Sequence, residues 1–143
     1  MAAQGVYKLR SAEGSPDGAL VLQGSAVTYA FVDETLPLLT EAGIDLDVYL
    51  VTSAELFDGL SASEQQAIFP EAVARQAMGI TGFTLPTMYR WIRSDLGRAH
   101  TMYPFEKGHY LGSGTGDMVV HEAGLDGEGQ LARIRKYLQA LRK

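Results

Sequence analysis

The feature that most constrains this sequence is a continuous apolar run that stops at a glycine and continues as a helix. Residues 19–22 carry no polar side chain, which is typical of a strand buried on both faces of a sheet. Gly24 and Ser25 break the run, and the apolar residues then recur with helical spacing. Serine is a favoured N-cap, so we expect Ser25 to cap this helix. A strand, a tight turn and a helix open a βαβ unit, and the strand is predicted to be central.

The helix that follows contains Pro37, which would disrupt a helix buried on all sides. On a helical wheel Pro37 falls on the polar side, together with Glu34 and Glu41. A proline that faces solvent can be accommodated as a bend. The sequence therefore predicts one bent helix that ends at Gly43.

The rest of the chain repeats the order of strand and then helix. Further strands are predicted over residues 5–10, 44–51, 74–83 and 98–103. Further helices are predicted from Ser61 or Ser63 to Ile68, from Thr84 to Gly97, over 117–123, and from an Asp126 cap to the end of the sequence. This alternation predicts the α/β class, with three α/β/α layers and a mostly parallel five-stranded sheet. A length of 143 residues fits one domain over 1–143.

Composition excludes several kinds of partner and chemistry. A net charge of −5 argues against nucleic acid and against acidic membrane surfaces. The absence of cysteine excludes disulfides, thiolate zinc sites and a cysteine nucleophile. No apolar run approaches the roughly 20 residues of a membrane span, and the N-terminus lacks a signal-peptide pattern. We therefore expect a cytoplasmic protein.

Two glycine-rich turns are candidate sites for an anion or a regulatory ligand. One is Gly24-Ser25, and the other is centred on Ser113, Gly114 and Thr115. Each precedes a predicted helix, and the free N–H groups of a helix N-terminus attract phosphate. Neither turn matches a GxGxxG or a GxxxxGK[ST] pattern. Turn geometry and close packing explain glycine at both turns, and this interpretation carries more weight.

The remaining residue types do not form a catalytic, cofactor-binding or metal-binding pattern. His100, His109 and His121 lack ligand spacing, and no Ser–His–Asp order is recognisable. Aromatic residues gather in the second half of the sequence, at Tyr89, Trp91, Tyr103, Phe105 and Tyr110. Because no acid–base pair accompanies them, core and interface positions are favoured over a ligand site. A self-associating interaction module is one of the options that stay open.

Several short segments are similar, in their order and spacing, to one known domain. They are residues 5–9, 20–27, 47–53, 56–58, 112–116 and 122–126. Together they resemble the C-terminal domain of transketolase and related thiamine-diphosphate-dependent enzymes, over nearly the whole chain. The resemblance implies a mixed five-stranded sheet whose first strand is antiparallel to the others.

The resemblance also implies a function. The enzymes of this family are dimeric, use thiamine diphosphate with a divalent metal, and transfer two-carbon ketol units between sugar phosphates. Their cofactor is held by the two preceding domains through a Gly-Asp-Gly motif and a downstream asparagine. This sequence contains neither Gly-Asp-Gly nor any asparagine, so it cannot complete that motif. The resemblance implies a non-catalytic domain or subunit that provides scaffold and dimer contacts. Its partners would be the thiamine-binding domains or subunit, in a homodimer or a hetero-oligomer.

The resemblance has one departure and leaves alternatives open. The family commonly ends its fourth strand with an acidic residue and alanine, where this chain reads Met78-Gly79-Ile80-Thr81. Related enzymes include the homodimeric first component of pyruvate dehydrogenase and deoxyxylulose-phosphate synthase. Tyr7 and residues 51–53 would suit the pyruvate branch as well. A stand-alone module that binds a small anion or a nucleotide is the other alternative.

Overall fold

The structure is a computed structural model that describes residues 4–104 and 125–142. Its strands are β1 (Val6–Arg10), β2 (Gly18–Gln23), β3 (Leu46–Val51) and β4 (Ala77–Thr81). Its helices are α1 (Ser25–Ala30), a π-helical turn (Phe31–Thr35), α2 (Leu36–Ala42), α3 (Ala54–Asp58), α4 (Ala62–Ile68), α5 (Glu71–Gln76), a 3₁₀ turn (Leu85–Met88), α6 (Asp95–His100) and α7 (Gly127–Leu141). The alternation of strands and helices confirms the α/β class.

The sheet has the order β1-β3-β2-β4. The central strand β2 runs parallel to β3 on one side and to β4 on the other. The edge strand β1 is antiparallel to β3, with Val6 opposite Val51. The mixed sheet, its antiparallel first strand and the central place of β2 are therefore confirmed.

The described residues form four strands, and the prediction of a fifth over residues 98–103 is wrong. This stretch begins inside α6, which Ser94 caps by accepting a hydrogen bond from the Gly97 N–H at 2.9 Å. A serine cap and Asp95 in the first turn both favour a helix at this point. Within residues 98–103, only Met102 pairs with β4, through a single parallel bridge to Ile80.

The flanks of β4 also differ from the prediction. The strand predicted from residue 74 begins at Ala77, because α5 occupies the residues before it. The helix predicted from Thr84 to Gly97 is a short 3₁₀ turn, followed by α6. Gly97 lies inside α6 and does not end a helix. A Cβ atom on Gly97 would collide with the carbonyl oxygen of Ala77, so glycine lets α6 pack its backbone against β4.

The helix that contains Pro37 is continuous, as predicted. The segments α1, π turn and α2 follow one another without a gap, and Gly43 ends the helix in the left-handed conformation at φ 72°. The π turn lies directly before α2, whose second residue is Pro37. A proline lacks an N–H group and its ring clashes with the preceding turn of an α-helix, so a wider π turn at this point relieves both problems.

Both faces of the sheet are covered, which confirms the three layers. Leu20 and Leu22 of β2 pack on one face with residues of α1, the π turn, α2 and α7. Ala19 and Val21 point to the other face, where Phe57, Phe69 and Trp91 belong to the second core cluster. This explains why β2 carries an apolar residue at every position.

Candidate functional site

The parallel strands β2, β3 and β4 all end at one edge of the sheet, which we call the carboxyl edge. A pocket of about 520 Å³ opens there. It is lined by Gln23, Gly24, Ser25, Thr28, Tyr29, Leu50, Val51, Thr52, Ala54 and Phe83. Ligands of open α/β sheets bind in crevices at this edge, outside the carboxyl ends of the strands. In this domain the pocket lies at the end of the central strand β2, which β3 and β4 flank on opposite sides.

Gly24 is required by the geometry of the turn after β2. Its φ of 108° lies in the region that favours glycine. A Cβ atom at this position would also lie 3.2 Å from the backbone nitrogen of Gly82. The Gly82 N–H donates to the Gln23 carbonyl at 2.8 Å, so the chain after β4 passes directly beside this turn. Turn geometry and close packing therefore account for this glycine.

The prediction that Ser25 caps the helix is wrong. Gly24 occupies the N-cap position, and Ser25 is already the first helical residue. No side chain caps this N-terminus, although the Thr28 hydroxyl donates back to the Gly24 carbonyl at 2.7 Å. The unusual φ of Gly24 places Ser25 within the helix, and a serine there cannot accept from the N–H groups ahead of it as an N-cap does. Gly24, Ser25 and Thr28 line the pocket, so the start of α1 lies on the pocket wall without a side-chain cap.

Gln23 connects the ends of β2 and β4 and adds polar atoms to the pocket. Its Oε1 accepts hydrogen bonds from the Thr81 hydroxyl at 2.8 Å and the Thr87 hydroxyl at 3.1 Å. The Thr81 hydroxyl oxygen in turn accepts from the Phe83 N–H at 3.0 Å, which fixes the backbone at this pocket wall. Because Oε1 is already engaged, the amide nitrogen of Gln23 is the group with which this side chain can bind a ligand.

The pocket lining has no charged side chain, since none of its residues is Lys, Arg, Asp or Glu. A helix N-terminus supplies the equivalent of roughly half a positive charge. A phosphate bound here would rely on that partial charge and on neutral donors, without a cationic side chain from the described lining. The walls contain Tyr29 and Phe83, and both aromatic rings are exposed.

Charged groups are concentrated at the start of β3, away from the carboxyl edge. Asp45 accepts from Arg10 Nη1 at 2.8 Å and from the backbone N–H groups of Glu13 and Gly14. The Arg10 hydrogen bond, followed by that of the Gly14 N–H, lowers the pKa of the Asp45 carboxyl below its ordinary value of 3.8. This cluster holds the β1–β2 connection against β3 and has a structural role.

The second predicted anion site falls outside the described part of the chain. Ser113, Gly114 and Thr115 lie outside the described residues, as does the helix predicted over 117–123, so their part in an anion site stays a prediction. Within residues 4–104 and 125–142, no cluster of three or more His, Cys, Asp or Glu side chains could hold a metal ion. No helix of this described part is long and apolar enough to cross a membrane.

The fold and this edge together define a class of protein: an α/β/α domain with a mixed sheet and an apolar, uncharged pocket at its carboxyl edge. The chain belongs to the transketolase-like C-terminal domain family, whose model matches residues 5–125. No curated protein sequence matches the chain significantly.

Solved structures of similar fold include transketolases from several organisms. The enzyme from Leishmania mexicana matches with a TM-score of 0.68 and 16% identity, over 96% of this chain and 18% of that one. The Campylobacter jejuni enzyme matches with a TM-score of 0.66 and 16% identity, over 93% and 18%. A complex of the Pichia stipitis enzyme with sedoheptulose 7-phosphate matches with a TM-score of 0.64 and 20% identity, over 97% and 18%. At these identities the likeness shows the fold. The chain spans less than a fifth of the length of these transketolases.

Proposed function

We propose that this chain is the C-terminal domain, or a separately encoded subunit, of a transketolase-like enzyme. The enzyme would use thiamine diphosphate and a divalent metal to transfer ketol units between sugar phosphates. The observation that carries this proposal is the family match over residues 5–125. The transketolase folds among the solved structures support it, and one of those enzymes was crystallised with a sugar phosphate.

Within that enzyme the proposed role of this chain is non-catalytic. It would provide scaffold and contacts in a homodimer or a hetero-oligomer. The sequence supports this role, because without asparagine and Gly-Asp-Gly it cannot complete the motif that holds the diphosphate and its metal. The cofactor and the reacting sugar would therefore be held by the thiamine-binding domains or subunit. A cytoplasmic location stays part of this proposal.

The experiment is a reconstitution of the chain with the thiamine-binding domains of the transketolase-like enzyme encoded in the same genome. We expect sedimentation to show a complex at micromolar concentrations, and ketol transfer between sugar phosphates to rise when both parts are present. Parallel assays with pyruvate test the alternative that the chain belongs to a pyruvate dehydrogenase first component. If neither a complex nor a rise in either activity is detected, the proposal is wrong.

A second candidate function is binding of a small anion or a nucleotide at Gly24 and Ser25. The observation that favours it is the uncapped start of α1, which lines the same pocket as Gln23. Ser113, Gly114 and Thr115 are the second predicted anion site in this proposal. Inorganic phosphate and ATP serve as probes in a thermal unfolding assay. A ligand at 100 times its Kd should stabilise the fold by about 2.7 kcal/mol. Unchanged unfolding temperatures at millimolar phosphate and ATP would count against this function.

A further inference from the structure

The large apolar side chains with the greatest exposure in the described residues all lie on segments that follow the carboxyl ends of the parallel strands. Tyr29 is 69% exposed, Phe83 is 55% exposed and Leu56 is 49% exposed. Each follows one of the three parallel strands, because Tyr29 lies on α1 after β2, Leu56 on α3 after β3, and Phe83 just after β4. We call the surface formed by these three residues and the pocket the carboxyl-edge face.

The chemistry of this face suits a protein partner. Tyr29 and Phe83 stand on the wall of a pocket whose lining has no charged side chain. Exposed aromatic residues combined with a lack of charge are typical of the centre of a protein interface. Contiguous apolar patches on a protein surface mark interaction sites.

The antiparallel direction of β1 shows what would lie next to this face. Because β1 runs against β3, its first residue, Val6, lies opposite the last residue of β3, Val51. The Gly5 carbonyl accepts from the N–H groups of Thr52 at 2.8 Å and Ser53 at 3.0 Å. Gly5 also lies against Leu56, since a Cβ atom built on Gly5 would be 3.2 Å from that of Leu56.

Gly5 is the residue at which the family match begins. In a domain that is C-terminal in its family, the other domains precede this residue. Their connection therefore reaches the domain at the carboxyl edge, beside Leu56 and the pocket. A preceding domain would emerge beside these exposed apolar side chains.

We propose that the carboxyl-edge face is the docking surface for the thiamine-binding part of the enzyme. This inference rests on the proposed function and names the surface that carries it. The occupant is a protein surface with an apolar, uncharged centre that covers Tyr29, Leu56 and Phe83. Docking closes the pocket, so an anion at Gly24 and the docked domain compete for the same space.

The test measures the affinity of the chain for the thiamine-binding domains encoded in the same genome, with Leu56→Ser and Phe83→Ser as variants. Leu9→Ser is a matched control, because Leu9 is similarly exposed at 42% but lies near the end of β1 that is away from the carboxyl edge. Truncation of a central apolar contact is expected to weaken binding about tenfold or more, and the control should stay within about twofold. Unfolding curves of the free variants verify that each one folds.

The outcomes separate the two proposals. If the wild-type chain binds and only Leu56→Ser and Phe83→Ser bind more weakly, the docking surface is supported. If the wild-type chain and all variants bind equally, this surface is wrong while the proposed function stands. If the wild-type chain neither binds nor raises either activity, both are wrong. Hydroxyl-radical footprinting of the wild-type complex gives a second readout without substitutions: Tyr29 and Phe83 should be protected, and full reactivity of both would overturn the inference.

Discussion

At the scale of single residues, Gly97 shows how a packing contact can override a helix preference. Alanine is a better helix former than glycine by about 1 kcal/mol. At Gly97, however, a methyl group would collide with the Ala77 carbonyl and lie 2.8 Å from Cγ2 of Ile92. Overpacking of this kind costs about 1–3 kcal/mol, and collision with a backbone atom leaves little room for relaxation.

We therefore predict that Gly97→Ala lowers the free energy of unfolding by about 1–3 kcal/mol, measured by urea denaturation. The control is Gly14→Ala, because nothing lies within 4 Å of a Cβ atom at Gly14. It should change stability by less than about 0.5 kcal/mol. A Gly97→Ala variant as stable as the wild type would show that α6 does not pack against β4 as described.

A buried polar contact gives a second prediction at this scale. Gln130 is fully buried, accepts from the Thr35 hydroxyl at 2.6 Å and donates to the carbonyls of Val27 and Leu125. Gln130→Leu leaves these partners unsatisfied, so we expect a loss of about 1–3 kcal/mol. In a double-mutant cycle, Thr35→Val combined with Gln130→Leu should cost less than the sum of the single changes. Additive costs would mean that the two side chains do not interact.

The pKa of Asp45 gives a prediction about pH. The folded-state pKa lies below the ordinary value of 3.8, so the ionised carboxylate stabilises the fold above that pH. The stabilisation is lost as the pH falls through 3.8 towards the folded-state pKa. Asp45→Asn should therefore be less stable than the wild type near neutral pH, with a difference that shrinks below about pH 4. Denaturation at several pH values measures this, and a difference independent of pH would contradict it.

At the scale of elements, the caps of α4 and α7 were predictable because they are local in sequence. The Ser61 hydroxyl accepts from the Glu64 N–H at 3.2 Å, and the Glu64 carboxylate accepts from the Ser61 N–H at 3.2 Å, which is a complete capping box. Asp126 caps α7 in the same way, by accepting from Gly129. The predicted caps of both helices are confirmed, and Ser61, not Ser63, is the cap of α4.

We predict that Ser61→Ala costs about 1 kcal/mol of unfolding free energy, because the Glu64 N–H loses its cap. Ser63→Ala is the matched control, since Ser63 is an exposed residue inside α4 where alanine is well tolerated. Thermal or urea unfolding distinguishes the two substitutions. Equal losses in both variants would contradict the assignment of the cap.

Two of the predictions that failed depend on contacts distant in the chain. The periodicity at Met88 and Ile92 suggested a helix, but these residues are buried because the segment packs against β4. The Ser25 cap fails because Gly24 adopts a positive φ beside Gly82. Neither effect has a local signal, because each requires knowledge of which segments become neighbours.

At the scale of the whole molecule, the place of the candidate site was predictable and most of its chemistry was not. A central parallel strand followed by Gly24 and Ser25 indicated a site at the end of β2. Gln23 accepts hydrogen bonds from Thr81 and Thr87, which follow it in the sequence by 58 and 64 positions. Tyr29, Leu56 and Phe83 likewise reach the same edge of the sheet only because the three strands that precede them are parallel. The surface proposed for docking is thus a product of the topology.

The central claim is that this domain completes a transketolase-like enzyme, and a titration of activity tests it most directly. The thiamine-binding domains encoded in the same genome are held at fixed concentration with thiamine diphosphate, magnesium and sedoheptulose 7-phosphate as ketol donor. The chain is then added in increasing amounts while ketol transfer to an aldose phosphate is measured. The account predicts a rate that rises and saturates at one chain per thiamine-binding protomer. A rate that stays flat at every ratio, with no complex in sedimentation, would contradict it.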